Sequence, residues 1–185
     1  MTCKKTLFLI FLLLPFVTSV TAQNYYTKNG TISFFSRTTL ENIDAVNNQV
    51  VSVLNIQKGD IAFSVLVKGF LFKKALMQEH FNEDYMESDK YQRATFKGVI
   101  TDIGKVNFTK SGAYPVKVSG DLTLHGVTRK INTEGMIQVR DLKIAATSEF
   151  NIHLADYNIS IPKLVEKNIS PTIRLSIDCM YEPKN

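Results

Sequence analysis

Residues 116–140 read VKVSGDLTLHGVTRKINTEGMIQVR, and apolar and polar side chains alternate along most of this stretch. One face of the first half carries Val116, Val118, Leu122 and Leu124, and one face of the second half carries Ile131, Ile137 and Val139. A period of two predicts β-strands with one buried face and one wet face. Because only a short turn around Gly126 joins the two runs, we expect the two strands to pair antiparallel.

The same alternation recurs through the rest of the chain. Further inward-facing residues are expected to be Ile32, Phe34, Ile61, Phe63, Val65, Val67, Phe96, Ile100, Ile144, Ala146, Phe150, Ile152, Leu154, Ile173, Leu175, Ile177, Cys179 and Tyr181. Strands do not alternate regularly with helices, so a parallel α/β sheet is not indicated. Seven or eight one-faced strands must close into a barrel or stack as two sheets, and the alternation alone leaves both arrangements open.

Three stretches break the pattern. Residues 73–89 read KKALMQEHFNEDYMESD, and the apolar Leu76, Met77, Phe81 and Tyr85 fall at helical spacing together with His80. This predicts one or two helical turns that cross an end or a side of the sheet. Residues 162–171 are expected to be irregular, and residues 41–48 are compatible with a short helical turn.

The N-terminus has the pattern of a secretory signal peptide. Lys4 and Lys5 precede an apolar run from Leu7 to Val17, and small residues lead up to Ala22. We expect cleavage after Ala22, a single domain over residues 23–185, and a periplasmic or secreted protein. An uncleaved anchor is the alternative, but the run is shorter than the roughly 20 residues that span a bilayer.

Charge and cysteine content exclude several classes of protein. Loss of Lys4 and Lys5 would lower the formal net charge from +5 to +3, and no run of basic residues exceeds two, so no nucleic-acid partner is expected. Cleavage would also leave Cys179 as the only cysteine, and its place in an alternating run predicts a buried core residue. The domain must therefore be stabilised by apolar burial instead of disulfides.

Two motifs resemble the YceI-like family, the lipocalin-like polyisoprenoid-binding proteins of the bacterial envelope. The first is GDLTLHGVTR at residues 120–129, which is similar to the hairpin of that family. The second is LMQEHFNEDYMES at residues 76–88, followed by Tyr91 and by Ala94-Thr95-Phe96, with Gln92 where the family usually has proline. Residues 156–159, DYNI, are similar to a late turn of the family, and the likeness extends over nearly the whole mature chain.

The resemblance implies an extended eight-stranded antiparallel β-barrel with one or two short helices, whose apolar cavity accepts an isoprenoid, quinone-like or fatty chain. The strand pattern is compatible with this fold and function, since an eight-stranded barrel has room for side chains or for one small ligand. The inward residues expected to contact such a ligand are Phe34, Phe63, Val65, Phe96, Leu122, Leu124, Phe150, Ile152, Leu175 and Ile177. We also consider transient membrane contact and a homodimer.

The alternative is a non-enzymatic structural or stress protein of the envelope, in which side chains fill the barrel and the outer face binds a partner. The sequence gives no catalytic constellation, so an enzyme acting on a lipid is the least favoured hypothesis. His80, His125 and His153 are not at metal-ligand spacing, and neither a metal site nor a cofactor is expected. The acidic residues Glu79, Glu83, Asp84 and Glu87 are interpreted as a solvated helical face.

Overall fold

The computed structural model describes residues 24–141 and 143–184. The predicted signal peptide and its cleavage after Ala22 lie outside these residues. No helix among the described residues is both long enough and apolar enough to cross a membrane.

Strands dominate the described chain. They are β1 (Asn24–Arg37), β2 (Asn42–Asn55), β3 (Asp60–Leu66), β4 (Leu71–Phe72), β5 (Arg93–Ile100), β6 (Gly112–Leu124), β7 (Val127–Arg140), β8 (Lys143–His153) and β9 (Thr172–Pro183). The α-helix α1 (Ala75–His80) continues into a turn of π-helix (Phe81–Tyr85), as the helical spacing of residues 73–89 predicted. Short 3₁₀ turns are Val67–Gly69, Ile103–Lys105, Leu154–Tyr157 and Lys163–Val165.

Eight of these strands form one closed barrel. Each pairs antiparallel with the next along the chain in the order β1, β2, β3, β5, β6, β7, β8 and β9, and β9 returns to pair with β1. The two-residue β4 pairs with the first half of β2 beyond the end of β3. Closure removes the free sheet edges that two stacked sheets would leave. The fold is therefore the eight-stranded antiparallel barrel that the resemblance implied, with one short helix.

The two ends of the barrel differ. Buried side chains fill the end where β1 begins and β9 finishes; they include Leu54, Ile144, Cys179 and Tyr181. We call this the closed end. The opposite end carries α1, the β6–β7 turn and residues 154–171, and we call it the helix end. The predicted inward position of Cys179 is confirmed, because the residue is completely buried.

Residues 42–48 form the start of β2, so the prediction of a helical turn there is wrong. This stretch pairs with β1 from Arg37↔Asn42 to Ile32↔Asn47. Its inward positions include Asn47, whose side-chain amide donates to the Leu66 carbonyl, so the apolar alternation that identifies a strand is interrupted. Pairing with a neighbouring strand overrides the local preference here.

One seam of the barrel is incomplete. The pairing of β7 with β8 runs only from Gly135↔Ser148 to Arg140↔Lys143. Residues 127–134 of β7 pair with β6 alone, and residues 149–153 of β8 pair with β9 alone. The two strands therefore separate towards the helix end.

Candidate ligand-binding cavity

A cavity of about 340 Å³ occupies the half of the barrel nearest the helix end. Its floor is formed by residues of the filled half, including Ile61, Ile100 and Ile137. All ten predicted ligand-contact residues lie on its wall: Phe34, Phe63, Val65, Phe96, Leu122, Leu124, Phe150, Ile152, Leu175 and Ile177. Side chains thus do not fill the half of the barrel nearest the helix end, although ligand contact by these ten residues stays a prediction.

The cavity wall follows from the strand alternation. Along β6 the inward positions Val116, Val118, Leu122 and Leu124 all line the cavity, and the intervening Gly120 opposes Gly98 of β5. A Cβ atom at Gly120 would lie 2.5 Å from the Gly98 Cα and 2.5 Å from the Phe96 ring. The two glycines therefore let β5 and β6 pass closely beneath the Phe96 ring.

Aromatic side chains fill the space between the wall and the helix. The Phe81 ring, in the π-helical turn, stacks on Phe34 of β1 at 5.4 Å between centroids, with an interplanar angle of 25°. Phe70 and Phe72 contact both of these rings at 5.0–5.7 Å between centroids. Contacts of this kind add about 0.5–1.5 kcal/mol each beyond simple area burial, so the cluster fixes the helix over the cavity.

The roof comes from two segments that the alternation could not identify. Met77, Phe81 and Tyr85 of the helical segment line the cavity, whereas Leu76, predicted on the same face, is exposed. The loop before β9 contributes Val165 and Ile169, four residues apart in a polar stretch. In the sequence, the spacing of Val165 and Ile169 was the feature that could have predicted a contribution from the loop. For Phe70 and Phe72, a spacing of two residues could have predicted that both face inward.

Few polar groups reach the cavity, and Glu41 is the one best defined by its contacts. The Asn168 side-chain amide donates to Glu41 Oε2 at 3.2 Å, and Lys74 Nζ lies 3.2 Å from Oε1. These two hydrogen bonds, that of Asn168 first, hold the pKa of the Glu41 carboxyl below its usual value. Glu41 thus joins the start of α1 to the loop before β9 at the edge of the cavity, which we call the rim.

The histidines occupy three unrelated positions. His80 lines the cavity from α1, and His153 lies on the outer face of β8, where its Nδ1 is 2.9 Å from the Thr172 hydroxyl. His125 lies in the β6–β7 turn, with Nδ1 3.1 Å from the Tyr157 carbonyl and Nε2 2.8 Å from Glu87. Within residues 24–141 and 143–184, no three His, Cys, Asp or Glu side chains are arranged to hold a metal ion.

The two motifs meet at this turn. His125 and Gly126 both have positive φ, 49° and 75°, which a tight two-residue hairpin turn requires. The ring of Tyr91 packs edge-on against His125, with 4.5 Å between centroids. A Cβ atom at Gly126 would lie 2.5 Å from the Tyr91 ring, so glycine is needed for space as well as for conformation.

A closed eight-stranded barrel around an apolar cavity defines a lipocalin-like fold. The sequence matches the YceI-like domain over residues 19–181, and the chain belongs to that family. No curated protein sequence matches the chain.

Solved structures support the fold. A polyisoprenoid binding domain from Saccharophagus degradans, implicated in plant cell wall breakdown, is 18% identical with a TM-score of 0.77, covering 89% of this chain and 100% of that domain. BcnA of Burkholderia cenocepacia is 12% identical with a TM-score of 0.69, covering 83% and 96%. The YceI protein of Campylobacter jejuni is 14% identical with a TM-score of 0.53, covering 99% and 100%.

Proposed function

We propose that this protein binds one long apolar chain, of the isoprenoid, quinone-like or fatty type, inside the barrel and so stores or carries it. The observation that carries the proposal is the cavity of about 340 Å³, whose wall is almost entirely aliphatic and aromatic. The polyisoprenoid binding domain from Saccharophagus degradans shares the fold and is consistent with this ligand class.

Apolar burial alone can supply the affinity. Removing a methylene group from water gains about 0.8 kcal/mol, so a chain of several methylene groups needs no strong polar contact. The cavity volume falls near the lower end of the roughly 300–1,000 Å³ typical of ligand pockets. We infer that the polar end of the ligand lies near Glu41 and Asn168 at the rim, while the chain lies against Phe150 and Leu175.

We further propose that the protein is non-enzymatic and works in the bacterial envelope. The support for envelope location is the N-terminal pattern of Lys4 and Lys5, an apolar run and Ala22, together with membership of the YceI-like family. The support for a binding role is the chemistry of the wall, which offers surface for packing and few groups for proton transfer.

Native mass spectrometry of residues 23–185, purified gently from an envelope extract, tests the proposal. A discrete extra mass that yields an isoprenoid, quinone or fatty species on organic extraction supports it and names the ligand class. An apo mass that stays unchanged after incubation with such lipids contradicts it and favours the partner-binding alternative.

A matched pair of variants tests the place of binding. Val118 of β6 lines the cavity, while its neighbour Ser119 projects to the other face of the sheet. Val118→Trp should abolish retention of the extra mass by filling the cavity, and Ser119→Trp should retain it. Equal retention by both variants would place the ligand outside the barrel. Circular dichroism of each variant shows whether the barrel remains folded.

A further inference from the structure

The wall of the cavity carries almost no charge. Among the described residues that line it, Glu41 is the only acidic residue, and none is a lysine or an arginine. His80 is the one lining side chain that becomes positive on protonation, and it lies between Glu79 and Glu83 on the helical segment. An anionic group inside the cavity would therefore meet a carboxylate and no fixed positive charge.

Glu41 keeps its negative charge at neutral pH. The hydrogen bonds from Asn168 and Lys74 hold the pKa of its carboxyl below the usual value, and its side chain is only 25% exposed. Lys74 does not line the cavity, its side chain is 67% exposed, and its charge is already paired with Glu41. The pair as a whole is neutral, so it offers no net attraction to an anionic head group.

The surroundings of the rim do not supply the missing positive charge. Residues 38–41, 67–91 and 154–171, which lie at the helix end, together carry eight acidic residues, six lysines and no arginine. The two lysines of the loop before β9 lie on either side of Glu166. A head group that protruded through the rim would therefore meet a slight excess of negative charge.

Glu41 and Asn168 retain capacity for hydrogen bonds. A carboxylate has about four acceptor sites, and the described contacts of Glu41 use one for Asn168 and one for Lys74. The Asn168 side chain also lines the cavity, and within the described residues its only hydrogen bond is the one it donates to Glu41. A hydroxyl group, which both donates and accepts, matches this pair of residues.

We propose that the bound chain ends in an uncharged head group that donates a hydrogen bond to Glu41, such as the hydroxyl of a prenol or a fatty alcohol. A carboxylate or a phosphate would lie beside Glu41 without a cation, and like charges at short range repel strongly. A quinone or an ester accepts hydrogen bonds but donates none, so it cannot bond to Glu41. This inference rests on the proposed function, since it specifies one end of the ligand that the cavity would hold.

Competition between three ligands with one chain tests the inference. Delipidated residues 23–185 are incubated with equal amounts of hexadecanol, methyl hexadecanoate and hexadecanoate at about pH 8, where the carboxylate is ionised and an unperturbed histidine is neutral. Ligands that remain bound after gel filtration are extracted and quantified by mass spectrometry. We expect the alcohol to exceed the carboxylate by about tenfold or more and the ester by about threefold.

The outcomes separate this inference from the proposed function. Carboxylate or ester retained as well as the alcohol would overturn the inference and leave the proposed function standing, because the chain would still be bound. Retention of none of the three ligands would contradict both. This comparison uses the original protein, so it does not depend on the folding of any variant.

A matched pair of variants assigns the selectivity to Glu41. Glu41→Gln removes the charge and keeps the size of the side chain, so the ratio of alcohol to carboxylate should fall about fivefold to tenfold. Glu182→Gln makes the same change in net charge on β9 near the closed end, at an exposed position outside the cavity, and should leave the ratio unchanged. An unchanged ratio in Glu41→Gln, or an equal fall in both variants, would overturn the assignment. Circular dichroism checks that both variants are folded.

Discussion

Ser52 and Tyr181 form a buried polar pair within the apolar closed end. The Ser52 hydroxyl lies 2.9 Å from the Ala62 carbonyl and 2.7 Å from the Tyr181 hydroxyl. A carbonyl can only accept, so Ser52 donates to Ala62 and accepts the hydrogen bond that Tyr181 donates. Burial raises the pKa of the Tyr181 hydroxyl, which therefore keeps its proton and remains a donor.

Ser52→Ala should destabilise the protein by about 1–3 kcal/mol, because it leaves the Tyr181 hydroxyl buried without its partner. Tyr181→Phe should cost less, since Ser52 still bonds to Ala62. The double variant should be more stable than Ser52→Ala alone. Urea denaturation of the four proteins measures these differences, and a larger loss for Tyr181→Phe than for Ser52→Ala would contradict the assignment of donor and acceptor.

Position 30 of β1 must be glycine because the sulfur atom of Cys179 leaves no room there for a side chain. A Cβ atom at Gly30 would lie 2.5 Å from Cys179 Sγ and 3.3 Å from Val50. Gly30→Ala should therefore destabilise the protein by about 1–3 kcal/mol through overpacking. In a Cys179→Ala background the same substitution should cost less, because the sulfur is gone. Thermal denaturation of the four members of this double-mutant cycle checks the coupling, and additive losses would show that Sγ is not the obstacle.

The thiol of Cys179, which packs against Gly30, has no chemical role of its own in this contact. Cys179 is completely buried, and burial raises the pKa of its thiol to about 12. The thiol therefore remains protonated at neutral pH and has little nucleophilic character. Its role in the closed end is that of a small apolar side chain.

At the scale of elements, sequence alternation predicted the strands whose two faces differ most. β9 alternates Ile173, Leu175 and Ile177 with polar residues, and its inward face was correctly identified. The start of β2 was missed because Asn47 points inward and is satisfied by the distant Leu66 carbonyl. The separation of β7 from β8 was also missed, since the length of a pairing depends on long-range packing instead of local pattern.

The segment after β8 lies beside this separation. Residues 154–159, which we call the strap, place Leu154 and Ile159 on the cavity wall and bury Tyr157. Arg129 of β7 donates from Nε to the Asp156 carbonyl at 2.9 Å, and His125 contacts the Tyr157 carbonyl. These contacts connect the start of β7 to the strap where β7 has no strand partner on that side.

Arg129→Ala should loosen the strap without unfolding the barrel. The variant loses one hydrogen bond from an exposed charged group. Its loss should raise the hydrogen-exchange rates of residues 154–159 by about fivefold to tenfold. Arg93→Ala is the control, since the Arg93 guanidinium contacts Ser64 and not the strap. Exchange at the strap that is unchanged by Arg129→Ala would show that other contacts hold it.

At the scale of the whole molecule, the sequence predicted which residues face inward but not which of them border empty space. Ile144 and Phe150 occupy equivalent inward positions on β8, yet Ile144 is buried near the closed end and Phe150 lines the cavity. A period of two in the sequence shows only on which face of a strand a residue lies. The boundary between the filled and the hollow half depends on how side chains from all eight strands meet, which no single segment encodes.

The division of the barrel into a filled half and a hollow half predicts two levels of stability. Amides near the closed end, such as those of Leu54, Ile144 and Tyr181, should exchange hydrogen only on global unfolding. Amides of residues 149–153 should exchange faster, because β8 has a strand partner on one side only there. Hydrogen-exchange mass spectrometry of the delipidated protein resolves the two groups.

Adding a long-chain lipid should then protect residues 149–153 and the strap against local opening. Amides that exchange only by global unfolding should slow as well, by the factor 1 + [L]/Kd that describes stabilisation by a ligand. Protection of these locally opening amides is the distinguishing result, because a ligand slows a local opening only where that opening disrupts its binding site. Slowing of only the amides that exchange by global unfolding, with residues 149–153 and the strap unchanged, would place the ligand elsewhere on the folded protein and would contradict the cavity as its site.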